Sequence, residues 1–320
     1  MRLLCLCCAT FFVVHAVIWL VVRGLSSTAV RVGETMKPRG SSRLLFALRM
    51  APVAVTLFLV LGFCVPSYVW LEPDIAGERV GVTCLLAAAL GVAGWTVSLL
   101  RGLVSMVRTR QYIRRCESGI HGTDASLATP ELVVVSQTNA VMAVVGVLRP
   151  RLLVSQDVMN ALSKEQKEAA FRHEAAHGAS RDNLKRLLFL LTPDVVPFAG
   201  SFSKLEVGWA RFTEWAADDE AVDGDPSRAL SLASALVRVA KLGVSPTPSY
   251  LLSSLVDSDR DLATRVDRLL REPEYAVKPM APLIARTRNI VLVVGGVAVI
   301  VLFWLESLGS VHRILEHLVK

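Results

Sequence analysis

Residues 173–177 read His-Glu-Ala-Ala-His. In a helix, positions four apart lie on one face, so His173 and His177 can aim two ring nitrogens at a single point. Zinc suits such a pair, taking imidazole nitrogen at about 2.0–2.1 Å. Glu174 is turned by about 100° from His173, which puts it beside such an ion, where a base for the attacking water belongs. The same residues also describe a solvated helix face with two histidines and a salt-bridging glutamate.

A hydrolytic zinc site needs a third protein ligand and keeps a fourth position for water. The segment 208–222, GWARFTEWAADDEAV, offers one. Glu214 completes a His₂Glu set, and Asp218, one helical turn on, can accept the free ring N–H of a ligating histidine. Glu220 is the alternative ligand if that helix is rotated. A negatively charged solvated face is the plainer reading of the group.

These residues need rigid elements to bring them together. Ser163 followed by Gln166 forms a capping-box pattern, and no proline interrupts residues 164–191, which predicts one helix carrying both histidines. Further helices are expected over 203–222, 226–243 (capped by Asp225, with Pro226 first) and 257–271. The Val-rich stretches 131–136, 140–147 and 151–155 read as strands. Residues 140–145 suit either a core strand or an edge to which an extended substrate adds. The stretch 184–198 is apolar but broken by Lys185, Arg186, Pro193 and Asp194, so it is expected to lie on or dip into a membrane interface.

The rest of the chain is membrane-like. Its 320 residues are 53% hydrophobic, with a mean hydropathy of +0.49. Stretches at 3–22, 50–70, 80–100 and 290–305 lack charge over lengths near the roughly 20 residues that span a bilayer. The first is expected to be a retained anchor. The net charge of +7 gathers in 23–49 and just after residue 100, while 72–78 is acidic. Basic residues stay cytoplasmic, so this pattern is a topology signal and no direct nucleic-acid partner is expected. It predicts both termini outside, residues 101–288 inside, and three parts: a membrane region 1–108, a cytoplasmic region 109–288, and a fourth span with a short tail over 289–320. Cys5, Cys7, Cys8, Cys64 and Cys84 fall in the expected spans and Cys116 on the reducing side, with no C-x-x-C spacing; they read as apolar fillers. His15, His121, His312 and His317 show no ligand pattern.

H-E-x-x-H followed by E-x-x-x-D resembles the integral-membrane gluzincin metalloproteases, which include HtpX-like, CAAX-protease-like and BlaR/MecR-like enzymes. The likeness extends over about 130–222, through the G-x-x-R-P turn at 146–150, Asp182, and the R-x-x-E-x-x-A-D pattern from Arg211 to Asp218. Three spans before the histidines and one after are similar to BlaR/MecR, although no penicillin-binding sensor domain is expected. The resemblance implies a mainly α, multi-pass membrane protein with four transmembrane helices and a cytoplasmic α+β gluzincin-type zinc metalloprotease domain. It implies one Zn²⁺ on His173, His177 and Glu214, with Glu174 and Asp218 catalytic. Arg265 is the candidate oxyanion donor, by likeness to a late arginine-bearing helix, and Arg211 is the other; a structural ion pair is the alternative for each. The expected partners are a lipid bilayer and a protein or peptide substrate, for which the resemblance suggests a transcriptional repressor. Quality-control proteolysis and a catalytically silent transducer are the competing functions.

Overall fold

Unbroken apolar sequence gives the chain its longest elements. Helix α1 spans Arg2–Glu34, α2 spans Pro38–Leu59 with Pro38 in its first turn, and α4 spans Val82–Glu117. Helix α2 continues through one wide π turn, Val60–Cys64, into α3, Val65–Leu71. Pro66 accounts for that turn: its ring has no N–H to offer Gly62 and crowds the carbonyl there, so the helix widens instead of breaking. The computed structural model describes residues 2–71, 81–117, 131–135, 142–148, 150–195, 202–243, 252–254 and 259–271. Among these, three helical stretches are long and apolar enough to cross a membrane. The expected fourth span and the loop 72–80 lie outside the described residues.

Helices α1, α2 and α4 pack together, with α1 touching both others. Small residues permit the closest approach. A Cβ at Gly91 of α4 would sit 2.7 Å from the Cys8 carbonyl oxygen of α1, a backbone atom that cannot swing aside. Gly91→Ala is therefore expected to lower stability by about 1–3 kcal/mol through overpacking, read as a lower melting temperature in detergent. Gly24→Ala, with nothing within 4 Å of the new carbon, serves as its control.

All three helices outrun the apolar stretches. The boundary expected near residue 108 falls inside α4, whose Tyr112 and Ile113 pack on the sheet core of Val133, Val135, Ala143, Val145 and Leu153. Leu45 of α2 and Ala29 of α1 share a buried cluster with Leu205, Trp209 and Phe212. Among the described residues, these long helices run on into the core of the polar region.

That region has a four-stranded sheet in the order β1-β3-β2-β4, from β1 Glu131–Val135, β2 Met142–Val145, β3 Arg151–Ser155 and β4 Leu252–Ser254. β1 and β3 are parallel, and β2 is antiparallel to both β3 and β4. β2 is thus an interior strand with all four residues buried. Of the two readings of 140–145, the described residues 142–145 take the core strand, since both flanks of β2 are already paired.

Ser155 caps the short α5, Gln156–Ala161, and Ser163 caps α6, Lys164–Ser180, through a complete capping box. Helices α8, Ser203–Val222, and α9, Pro226–Lys241, follow, with Asp225 capping α9; α10 spans Asp259–Leu270. Leu232 and Leu236 of α9 are fully buried against α6 and the sheet, each stabilising the fold by about 1.5–3 kcal/mol.

The expected single helix over 164–191 is in fact two. Arg181 turns left-handed (φ 53°, ψ 44°), and α7, Asp182–Leu191, departs in a new direction. A non-glycine residue there costs on the order of 1 kcal/mol. The turn brings the Asp182 carboxylate onto His177 and Lys185, at 2.9 and 2.8 Å. Buried Leu187 and Phe189 then pack α7 against the apolar helices α2 and α4.

Candidate metal centre

Helix α6 buries one face completely, and His173, Glu174 and His177 are on it at 0%, 0% and 2% exposure. A solvated histidine face is thereby ruled out. Helix α8 crosses α6 and presents Glu214 and Asp218, both buried, to that face. The two Nε2 atoms lie 3.1 Å apart. Glu214 Oε2 is 3.4 Å from His173 Nε2, and its Oε1 is 3.5 Å from His177 Nε2. Two atoms bound to one tetrahedral zinc at about 2.0–2.1 Å are separated by roughly 3.3–3.4 Å. The three residues thus hold their donor atoms at the spacing of a shared ion, and they form the one metal-capable cluster found among the described residues.

Each ring is fixed from behind. Asp218 Oδ1 lies 3.0 Å from His173 Nδ1, and Asp182 Oδ2 lies 2.9 Å from His177 Nδ1. The His177 contact is a hydrogen bond, so its Nδ1–H is directed at a carboxylate and its Nε2 keeps its lone pair for the centre; the His173 contact is close but not aligned as a hydrogen bond. Asp218 is held in turn by Arg265, whose Nη2 and Nε reach its two oxygens at 2.7 and 2.9 Å.

The charge inventory calls for a cation. Glu174, Glu214, Asp218 and Asp182 are four buried carboxylates, while Arg265 and Lys185 are the cations paired with them. These carboxylates outnumber the cations paired with them, a setting that favours a bound cation. The ring of His177 reports the same imbalance: burial lowers its proton affinity, yet Glu214, Asp182 and Glu174 outweigh burial and lift its pKa to about 10. Burial raises Glu174 to about 7, against the lowering by both histidines. For Asp218 burial is outweighed by Arg265 and His173, which bring it down to about 2.

Glu174 is disposed as a base. One oxygen accepts the Val144 N–H at 3.2 Å, and the other, Oε1, is buried without a hydrogen-bond partner. The Glu214 oxygens likewise accept no well-directed hydrogen bond. Buried acceptors left open in this way are rare unless they serve a ligand or a reaction.

The other sequence candidates separate cleanly. Glu220 is half exposed and pairs with Arg39 at 3.3 Å, so the rotated register is wrong. Arg211 pairs with Glu34 at 2.8 Å and stacks on Phe212 and Trp215, which is the structural role. Arg265 does reach the centre, with Nη1 3.1 Å from Glu214 Oε2 and Nη2 3.4 Å from His173 Nε2. Its guanidinium is committed to the carboxylates that build the site, which argues against a role as a substrate-facing oxyanion donor. His15, expected to be inert, is buried and lies 2.9 Å from the Pro193 carbonyl oxygen; His121, His312 and His317 lie outside the described residues.

Two contributors escaped the sequence reading. Asp182 was visible as part of the resemblance but had no role until the chain reversed at Arg181. Asn183 donates to the carbonyls of Val144 and Gly146 at 2.9 and 3.0 Å, tying α7 to β2. A short acid directly after a histidine-bearing helix is the only signal that pointed there.

Neither a curated protein nor a solved structure matches the chain. Residues 107–245, which contain His173, Glu174, His177, Glu214 and Asp218 but not Arg265, match the model of Peptidase family M48, a family of metallopeptidases.

Proposed function

We propose that the chain is a membrane-embedded, zinc-dependent endopeptidase that cuts a protein substrate on the cytoplasmic side. The observation that carries this reading is that the two Nε2 atoms and the two Glu214 oxygens, all buried, converge at 3.1–3.5 Å beside a Glu174 oxygen with no hydrogen-bond partner. His173, His177 and Glu214 would hold the ion, and Asp182 and Asp218 orient the two rings. Bound zinc supplies a Lewis acid that polarises the scissile carbonyl. Glu174 Oε1 takes a proton from the attacking water and delivers it to the departing amine nitrogen. The Val144 N–H restrains the other oxygen, so the carboxylate meets the water in one orientation. Buried Glu174 favours a working enzyme over a silent transducer, because a scaffold has no use for a desolvated acid without a partner.

The topology belongs to the same proposal: basic residues keep the polar region cytoplasmic, and residues 290–305 supply a fourth span. The BlaR/MecR-like order of spans favours regulatory cleavage of a transcriptional repressor over quality control. The test uses the full chain in detergent. Roughly one zinc per chain is expected, and cleavage of labelled casein should stop with 1,10-phenanthroline and return with added zinc. Cleavage that persists after zinc has been stripped would overturn the proposal.

A further inference from the structure

The backbone just after α7 is gripped by all three apolar helices. His15 of α1 lies 2.9 Å from the Pro193 carbonyl. Arg49 of α2 donates to Asp194 Oδ1 and to the Phe189 carbonyl, both at 3.3 Å. Arg101 of α4 donates to Asp194 Oδ2 at 3.1 Å and to the Thr192 carbonyl at 3.4 Å. Arg49 is 2% exposed, pairs also with Glu206 at 2.9 Å, and lies 4.5 Å over the Phe202 ring. Asp194, 13% exposed, bridges α2 to α4 through its two oxygens.

Buried ion pairs contribute little to stability, since desolvation cancels most of the attraction, but their geometry is selective. Here that selectivity fixes one end of α7. The other end carries Asp182, on the His177 ring, and Asn183, on the Val144 carbonyl. The N–H of that same Val144 holds Glu174. A ten-residue helix, about 15 Å long, thus joins the meeting point of three membrane helices to a metal ligand and to the base.

We propose that Asp194 is a positioning residue for the metal centre, acting through α7 and Asp182 on His177, so that the arrangement of α1, α2 and α4 sets metal affinity. The inference rests on the metallopeptidase reading, and its test separates the two. Zinc affinity is measured by competition with a chelating dye, and ligand geometry from the visible absorption of the cobalt-loaded protein, on folded protein in detergent. Asp194→Asn should weaken zinc binding by about tenfold, the low end of what an outer-shell partner is worth, because it acts on the ligand only through α7, and shift the cobalt bands, while Asp194→Glu should restore part of both. Asp182→Asn should do the same, and the double variant should be little weaker than Asp182→Asn alone, because both lie on one path.

Unchanged affinity with a lowered melting temperature would make Asp194 merely structural and overturn the proposal. Full additivity with Asp182→Asn would remove the path through α7. Should Asp194→Asn fail to fold, Arg101→Gln removes one arm of the grip at a partly exposed guanidinium, and the same outcomes decide. A parent protein that binds no zinc would sink the underlying reading instead.

Discussion

Glu174→Gln should lose about 10²–10⁴-fold in cleavage, the usual contribution of a positioned acid–base group, while zinc stays bound at the parent level. The two halves of that expectation come from different atoms. Glutamine keeps the shape and can still accept the Val144 N–H through its amide oxygen, so β2 and α6 remain in register. It cannot take a proton at the position of Oε1. The proposed ligand atoms belong to His173, His177 and Glu214, none of which hydrogen-bonds to Glu174 among the contacts seen. Stability should hold or rise slightly, because a neutral amide is cheaper to bury than a carboxyl that burial has already pushed up to about 7. Turnover of labelled casein and zinc content on the same preparation check it. Equal turnover by the parent and Glu174→Gln would leave a protein that keeps the fold without the chemistry.

Much of this centre was legible because its logic is local. The i,i+4 spacings of His173 with His177 and of Glu214 with Asp218 need only helices, and the capping box at Ser163 marks where the first of those helices begins, as the cap at Asp225 does for the neighbouring α9. What could not be read depends on the chain's path through space. Nothing local marks Arg181 as the point where α6 gives way to α7, since arginine has no preference for a left-handed conformation and the offsetting contact, Asp182 to His177, is tertiary. The interior position of β2 depends on β4, a three-residue strand far along the chain. The choice between Glu214 and Glu220 depended on which face of α8 meets α6, and that is set by Leu205, Trp209 and Phe212 packing on α1 and α2. The long apolar helices therefore decide the rotation of the helix that carries the candidate ligand Glu214.

The packing also shows where the polar residues of 184–195 go. Composition alone places this segment on or in a membrane interface without naming their partners. Lys185 serves Asp182, and Arg186 lies 5.6 Å over the Trp209 ring. Asp194 bridges two arginines from different helices. Lys185 finds its partner one helical turn away, while Arg186 and Asp194 find theirs on other helices, which lets the segment pack into the bundle at modest cost.

Glu214→Gln should release the metal, with affinity falling by more than the roughly 100-fold that an outer-shell partner is worth, and activity falling with occupancy. A carboxamide has nearly the carboxylate's shape, so the packing of α8 survives; it lacks the negative charge that makes the oxygen a good ligand for a divalent ion. Arg265 does not become an unpaired buried cation, because Asp218 still holds it through two contacts at 2.7 and 2.9 Å. The fold should therefore tolerate the change, and loss of zinc can be read without unfolding. Glu220→Gln is the matched comparison: its carboxylate is half exposed and paired with Arg39, so zinc content and turnover should stay at the parent level. His177→Ala should behave like Glu214→Gln, and it also leaves Asp182 without its ring partner, so some loss of stability should accompany the loss of metal. Zinc per chain after gel filtration, with melting temperatures for all three variants, decides the matter. Retention of zinc at parent affinity by Glu214→Gln would show that the carboxylate from α8 is not a ligand, and the site would need a different third donor.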